Sequence, residues 1–478
     1  MLTCVFSHKQ CVCSYICLVD SKAVQDSYHL EIPGDQRDRL IIGWLWLAVV
    51  ALALAGLFSL LLVLARTPVI GEIFPWLDFF HSALVVHVNL SVLVWSLSVL
   101  AILWCFNVGR QIMPMAWLAL ASASVGTLLI AIAPFTYDAQ PLISNYIPVL
   151  QTPVFFAGLL IFAFGILLVV LQALITAPSL SLRITNENVV RIGLLLMAIT
   201  VVFAVAAFAM SWRGASALLT PLVYYEMLFW GGGHVLQFTY TLGTFLCWFW
   251  LASRCRMTLP VNARIVLLFL VLGFVPVLMF PWYYFSYEIT SVAFVNGLTD
   301  LMAFGGALSI VPVMAALFIG LVYLKPQQDE DRVYHVCLLT SFTLFGVGGV
   351  IGFVISGSDV TIPAHYHGST VASTLAFMGV CYDLMIRLGY RSVSFRWARI
   401  QLWTYAIGQL MHILGLVWSG GYGVQRKVAG ADQALDSIER TAGMGLMGLG
   451  GLVSAIGGLM FIIICIKALT RPRDLGSE

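Results

Sequence analysis

The chain is a succession of long apolar runs separated by short polar segments in which the charged residues collect. A helix needs about 20 apolar residues to cross a hydrocarbon core of about 30 Å, and this length recurs throughout the chain. Twelve spans are predicted. The first six lie at 41–66, 79–107, 112–135, 148–176, 190–212 and 218–253, and the second six at 263–285, 295–324, 335–357, 362–387, 397–420 and 441–469. A membrane β-barrel would instead show alternating strands of about ten residues. Many of the 41 glycines fall inside the runs, as expected where membrane helices approach closely. The predicted fold is therefore all-α, a twelve-helix polytopic membrane domain over 41–470. A polar tail precedes it at 1–40 and a short one follows at 471–478.

Composition narrows the class. Hydrophobic residues make up 61% of the 478 and charged residues 10%, whereas a soluble globular chain carries about 25% charge. The formal charge of +2 is small, and no basic run resembles a nucleic-acid patch, so the lipid bilayer is the expected surroundings and nucleic acid is not a partner. Lys and Arg concentrate on the cytoplasmic side of membrane helices. With the N-terminus placed there, Arg66, Arg213, Arg426, Lys427 and Arg440 fall outside, and the remaining 19 of 24 fall inside (24 − 5). That split predicts cytoplasmic termini in a bacterial-type inner (plasma) membrane.

Cys4, Cys11, Cys13 and Cys17 crowd the N-terminal tail, but no second Cys-x-x-Cys or His pair follows to complete a zinc or iron–sulfur site. An extension upstream of the true start, without function, is the favoured reading. No cleavable signal pattern precedes the first span. The other six cysteines are scattered and suggest no disulfide framework.

The nine histidines carry the chemistry. His81, His87, His234, His365, His367 and His412 lie in or beside spans, where a polar group is costly and marks function by default. Any one alone would be read as a packed, hydrogen-bonded contact between helices. Jointly, His87 on span two, His234 on span six and His365 with His367 on span ten converge on the outer half of the bilayer. Residues two apart on a helix point about 200° apart, so His365 and His367 face opposite sides of span ten. Such a helix suits two cofactors flanking it and does not suit one small metal ion. Two haems fit, with His87 as the second axial ligand of one of them, in a bis-His pair. His81 sits at the membrane rim on another face from His87.

His87-Val-Asn-Leu with Trp95, Leu228-Phe-Trp-Gly-Gly-Gly-His234 and His365-Tyr366-His367 occur in this order, followed by Gly421-Tyr-Gly-Val-Gln-Arg-Lys427. With these motifs the chain resembles the catalytic subunit I of the haem–copper oxidase superfamily, which includes cytochrome c oxidases and nitric oxide reductases. The resemblance covers nearly everything from about residue 40 onward. It implies that His365 binds a high-spin haem, that His367 and His87 bind a low-spin haem, and that His234 binds an active-site copper or non-haem iron. Arg426 and Lys427 would hold haem propionates, as cations at the membrane edge. His412 matches no ligand of the family.

Two departures separate the chain from that pattern. The family completes its second metal site with a histidine pair at the outer end of helix seven. Here Phe280-Pro281-Trp282-Tyr283-Tyr284-Phe285 stands there, and no histidine lies between His234 and His335. Tyr283 and Tyr284 occupy roughly the place of the pair, and neutral Tyr is a poor copper ligand. The copper or non-haem iron site is thus expected to be absent or altered. Four residues after His234 the family carries Tyr or Glu, and this chain carries Phe238, with Gln237 before it and Tyr240 after it.

Proton routes are sparse. The loop Asn107–Gln111 has no carboxylate, and Thr239, Thr241, Thr244 and Ser309 offer a water chain or ordinary helix packing equally well. Glu226 and Asp300 look like buried acids, with simple pairing favoured. Two functions follow. One is an oxidoreductase, cytochrome c oxidase-like or nitric oxide reductase-like, that passes electrons through two haems to O2 or NO, with His234 and Gln237 at the reacting side. It would work with a small partner subunit and an outer-side donor such as a cytochrome c or a copper protein. The other is a non-catalytic haem-binding homologue, a gas sensor, electron-transfer or assembly module without the copper site. A haem-free transporter is weaker still, since no inverted repeat is evident.

Overall fold

The structure, a computed structural model, describes residues 27–65, 79–136, 139–179, 183–326, 328–390, 393–427 and 435–470. The four N-terminal cysteines, Arg66 and the 471–478 tail lie outside the described residues. Twelve helices are long and apolar enough to cross a membrane: α1 Gln36–Leu60, α2 Phe80–Cys105, α3 Arg110–Phe135, α4 Pro153–Ile175, α5 Asn186–Gly214 and α6 Pro221–Arg254. The second six are α7 Ala263–Ser286, α8 Val292–Tyr323, α9 Asp329–Phe353, α10 Thr361–Arg387, α11 Phe395–Gly421 and α12 Ile438–Leu469. Every predicted span has its helix.

Where the boundaries moved, local chemistry explains the shift. The predicted fourth span starts at 148, but 148–152 belong to a connection between α3 and α4. There β1 (Pro141–Leu142) pairs antiparallel with β2 (Val149–Leu150). Helix α4 begins only at Pro153, where the Thr152 hydroxyl accepts from the Phe155 amide and proline needs no donor at the first turn. Interior turns also depart from the α form. A π-helical turn, Asn89–Val94, follows His87 in α2. In α7 a 3₁₀ stretch, Val275–Met279, contains Pro276, whose ring cannot join the regular ladder.

Most helices pack against their sequence neighbours, and α12 returns to lie against α1. Three helices form the centre. In α2, α6 and α10 83% of the most apolar window is buried, against 33–56% elsewhere. Close approach is bought with glycine: a Cβ on Gly368 of α10 would lie 2.3 Å from the Gly348 Cα of α9. In a lipid solvent this van der Waals contact replaces the hydrophobic drive between helices. All six described cysteines, Cys105, Cys247, Cys255, Cys337, Cys381 and Cys465, are free and buried.

At the face of the bundle where the chain enters α1, a buried ionic cluster ties the helix ends together. Asp383 of α10 is fully buried, and Arg254 of α6 meets it at 2.6 Å while Arg387 lies 3.7 Å away. The Trp250 indole N–H donates to the same carboxylate at 2.7 Å, and the Tyr334 hydroxyl donates at 3.3 Å. Residues from Ser27 onward dock on this cluster and are not a free tail. The Tyr28 amide donates to Ser253 Oγ at 2.8 Å, Glu31 pairs with Arg387 at 3.0 Å, and His29 lies against Trp250. Nearby, Asp35 supplies a carboxylate beside the 107–111 loop, accepting from Arg110 at 2.7 Å. The Arg37 guanidinium that also bonds it, with help from Arg110, holds that carboxyl far below the usual range. Asp35 is therefore a fixed anion and not a proton relay.

Two outcomes follow from the cluster. Asp383→Ala leaves two half-buried guanidiniums without their shared anion, a loss of about 3 kcal/mol, at the low end because Glu330 and Glu31 still meet them. Thermal unfolding in detergent should show a clearly lower midpoint than for the surface change Glu439→Ala. The second concerns pH. Burial, and then the Arg387 charge, lower His29 from 6.5 to about 4 in the docked state. Undocking therefore takes up a proton, so docking is at full strength above about 6.5 and weakens as pH falls toward about 4. Hydrogen exchange of residues 27–35 should rise over that window, and His29→Gln should flatten the response.

Candidate functional site

The three central helices are the ones that carry His87, His234, His365 and His367. Each ring has one nitrogen fixed, three of them by main-chain carbonyls. Nδ1 of His87 is 2.8 Å from the Ala55 carbonyl of α1. Nδ1 of His365 is 2.8 Å from the Gly348 carbonyl of α9, and Nδ1 of His234 is 2.7 Å from the Trp230 carbonyl one turn earlier. A carbonyl only accepts, so each of these Nδ1 atoms carries the proton and each Nε2 presents a lone pair. His367 is held differently, with Nδ1 3.3 Å from the side-chain oxygen of Gln409 on α11.

His87, His365 and His367 keep part of their surface accessible, and Tyr366 between the last two is 40% exposed. On the most buried helices of the bundle, this means that the rings border open space and not packed side chains. His87 and His412 both lie within electrostatic range of His367, and the His367 and His412 rings are 4.4 Å apart. Axial ligands of a haem need this donor set, a neutral imidazole with Nδ1 anchored and Nε2 free beside open space. His87, His365 and His367 fit it.

Local structure aims these rings. The π-helical turn after His87 is tied by Asn89, whose amide donates to the Val85 carbonyl at 2.9 Å and to Pro148 in the hairpin connection at 2.8 Å. Ser91 donates to the His87 carbonyl at 2.7 Å. On α10, Gly352 of α9 leaves room for the His365 ring, since a Cβ there would fall 2.9 Å from its Nδ1.

The β1–β2 connection supplies the residues that the sequence did not reveal. Asn145 bonds the Glu226 carboxylate through both its amide N–H and its side chain, and accepts from Arg426 at 3.3 Å. Arg426 also donates to Ser358 at 3.2 Å. Glu226 is thus paired, as expected, through an unforeseen partner. Lys427 ends the described part of this segment in the left-handed conformation. Next to Asn145, Tyr146 has a φ of 64° and lies half-buried against the His234 ring, its hydroxyl 2.9 Å from Nε2. Burial pushes this phenol well above its ordinary range and keeps it protonated. The triplet Gly231-Gly232-Gly233 makes space on three sides, for Tyr284, Phe208 and Tyr146 respectively.

Other sequence candidates are placed as follows. Gln237 keeps Oε1 buried without a partner, and Phe238 packs on Phe280. Tyr284 donates to the Ala207 carbonyl at 3.0 Å and bonds Ser211 at 2.8 Å, while Tyr283 lies over Gly297 of α8. The structure brings neither to His234. Among the described residues no group of three or more His, Cys, Asp or Glu is placed to hold a metal ion. Asp300 is not buried: it lies on the exposed face of α8, close to Phe304, which is 69% exposed. Thr241 and Thr244 bond carbonyls one turn back, and Ser309 bonds Gly306, as helix packing predicts; Thr244 also reaches Ser373 at 2.7 Å. His412 anchors Nδ1 on the Met447 carbonyl of α12 at 2.9 Å. Gln409 and His412, three apart on apolar α11, were a readable signal for one functional face.

Comparison with known proteins agrees with this arrangement. A family model described as cytochrome c and quinol oxidase polypeptide I matches residues 39–460. A protein of Rickettsia prowazekii (strain Madrid E), described as uncharacterized, is 30% identical over 89% of this chain and 95% of its own length. An uncharacterized protein of Aquifex aeolicus (strain VF5) is 29% identical over 73% of this chain and 85% of its own. Among solved structures, a heme-copper terminal oxidase dimer superposes with a TM-score of 0.68 at 17% identity, covering 93% of this chain and 86% of that one. This integral, multi-pass chain belongs to the cytochrome c and quinol oxidase polypeptide I family, the subunit I family of the haem–copper oxidases, as a divergent member without the histidine pair on α7.

Proposed function

We propose that the chain is a membrane haem protein that carries electrons between two haems and handles a small gas, O2 or NO, at the second. The observation that carries this reading is the matched state of His87, His365 and His367, each with Nδ1 fixed and Nε2 directed away from its anchor. His87 and His367 would hold one haem, which would supply one-electron transfer, and His365 would hold a second, which would bind the diatomic ligand. The residues of the chain do the rest. Ala55, Gly348 and Gln409 set the tautomers and ring planes, and Arg426 stands at the same face as Tyr366 to meet propionates, with Lys427 beside it. His234 and Gln237 face the reacting side as polar groups.

Family membership and the charge pattern support the same orientation, with termini cytoplasmic in a bacterial-type inner membrane and both haem sites near the outer face. Electrons would then arrive from a separate outer-side carrier, a cytochrome c or a copper protein, with a small partner subunit alongside. One observation favours a second reading. Among the described residues no second metal ligand stands at His234, so the bundle also fits a non-catalytic haem module that senses gas, transfers electrons or aids assembly.

Reduced-minus-oxidised spectra of the purified protein test the proposal. They should show two haems, and CO should shift one of them. His87→Ala or His367→Ala should abolish the low-spin bands, and His365→Ala only the CO-reactive ones. A protein without haem absorbance overturns both readings. Turnover of O2 or NO with a reduced donor separates the enzyme from the silent module.

A further inference from the structure

We infer that Tyr146 takes the position a second metal would hold on His234, so that a hydrogen-bonded tyrosine–histidine pair replaces a His-bound copper or non-haem iron. The inference rests on the site reading above and adds a residue that the family pattern does not supply. His234 has two nitrogens. Nδ1 lies 2.7 Å from the Trp230 carbonyl and must donate, which leaves Nε2 as its one metal-binding atom. The Tyr146 hydroxyl lies 2.9 Å from that atom. Since Nε2 has no proton to give, the phenol is the donor, and the lone pair a metal needs is engaged.

The contact is built into the fold. Tyr146 holds a φ of 64°, a left-handed conformation that is unfavourable for a non-glycine residue. It persists because the flanking backbone is fixed. The Asn145 amide and side chain hold Glu226, and its side-chain oxygen accepts from Arg426. The Ile147 amide donates to the Asn145 carbonyl at 2.8 Å, and the Ser144 hydroxyl donates to the Ile147 carbonyl at 2.8 Å. Beneath the ring, Gly233 must lack a side chain, because a Cβ there would fall 2.3 Å from the Tyr146 Cγ. Trp230 meets the ring edge-on at 5.8 Å.

The other places from which ligands might come are also taken. Tyr284 spends its hydroxyl on Ala207 and Ser211, and Tyr283 lies over Gly297. The neutral Gln237 oxygen is a weak donor for copper. A metal at His234 would have to break the phenol contact and would gain no second strong ligand among the described residues. Tyr146 is thus a positioning residue for His234.

Metal uptake by the purified full-length protein tests this. Samples are equilibrated with Cu(I), Zn(II) or Fe(II), desalted and assayed for metal, with haem counted separately in the same sample. The wild type should take up no equivalent that His234→Ala removes. Tyr146→His, which places a second imidazole at a position whose left-handed backbone His tolerates, should gain about one Cu(I) that His234→Ala abolishes. In 15N-histidine-labelled protein, Tyr146→Phe should shift the Nε2 resonance of His234, a readout that holds if Tyr146→His does not fold. Stoichiometric His234-dependent metal in the wild type, or an Nε2 resonance unmoved in Tyr146→Phe, overturns the inference. Absence of haem with no His234-dependent metal defeats the proposed function and leaves this inference standing.

Discussion

The whole site depends on one constraint, that an imidazole in an apolar bundle cannot leave its N–H without an acceptor. An unmet buried donor costs about 1–3 kcal/mol. Each central histidine therefore spends Nδ1 on an acceptor, and this choice determines everything its other nitrogen can do. For His87, His234, His365 and His412 the acceptor is a main-chain carbonyl, on a facing helix or one turn back on the same one. Ring orientation is thereby built from helix placement itself. His367 is the exception, since Gln409 holds it, and a side chain can be exchanged without moving a helix. That ring is the one whose electronics a point substitution can tune.

The same constraint separates the two kinds of site. At His87 and His365 the free nitrogen is left beside open space. At His234 the free nitrogen is filled from within the chain, by a phenol carried on a connection and not on a helix. A family fold thus holds two chemistries side by side, with the difference made by a segment only a few residues long between α3 and α4.

Much of this was legible in the sequence. Run length gave the twelve spans, because only helices and closed barrels satisfy the backbone in lipid and continuous runs this long do not suit a barrel. The histidines and their helices were readable from spacing, as was the emptiness of α7. The sequence was silent where function depends on a connection. Residues 148–152 look like the start of an apolar span, yet Thr152 and Pro153 set a helix start that leaves them in a hairpin, and only this frees Tyr146 to turn inward. The docked segment from Ser27 was hidden for the opposite reason: its polar residues read as a tail, while their partners Ser253 and Arg387 lie far off in sequence. Asp300 misled because its neighbours are apolar, and apolar neighbours on a lipid-facing helix do not imply burial.

Gly233 and Tyr146 have one more implication. The glycine has no purpose without the aromatic ring above it, and the ring has no room without the glycine. Neither position can drift alone: a chain that acquired a side chain at 233 would have to give up the phenol, and one that lost the phenol would be free to fill the hollow. The hollow and the ring are therefore one fitted part in this chain, and a change at either position reaches the histidine beside them.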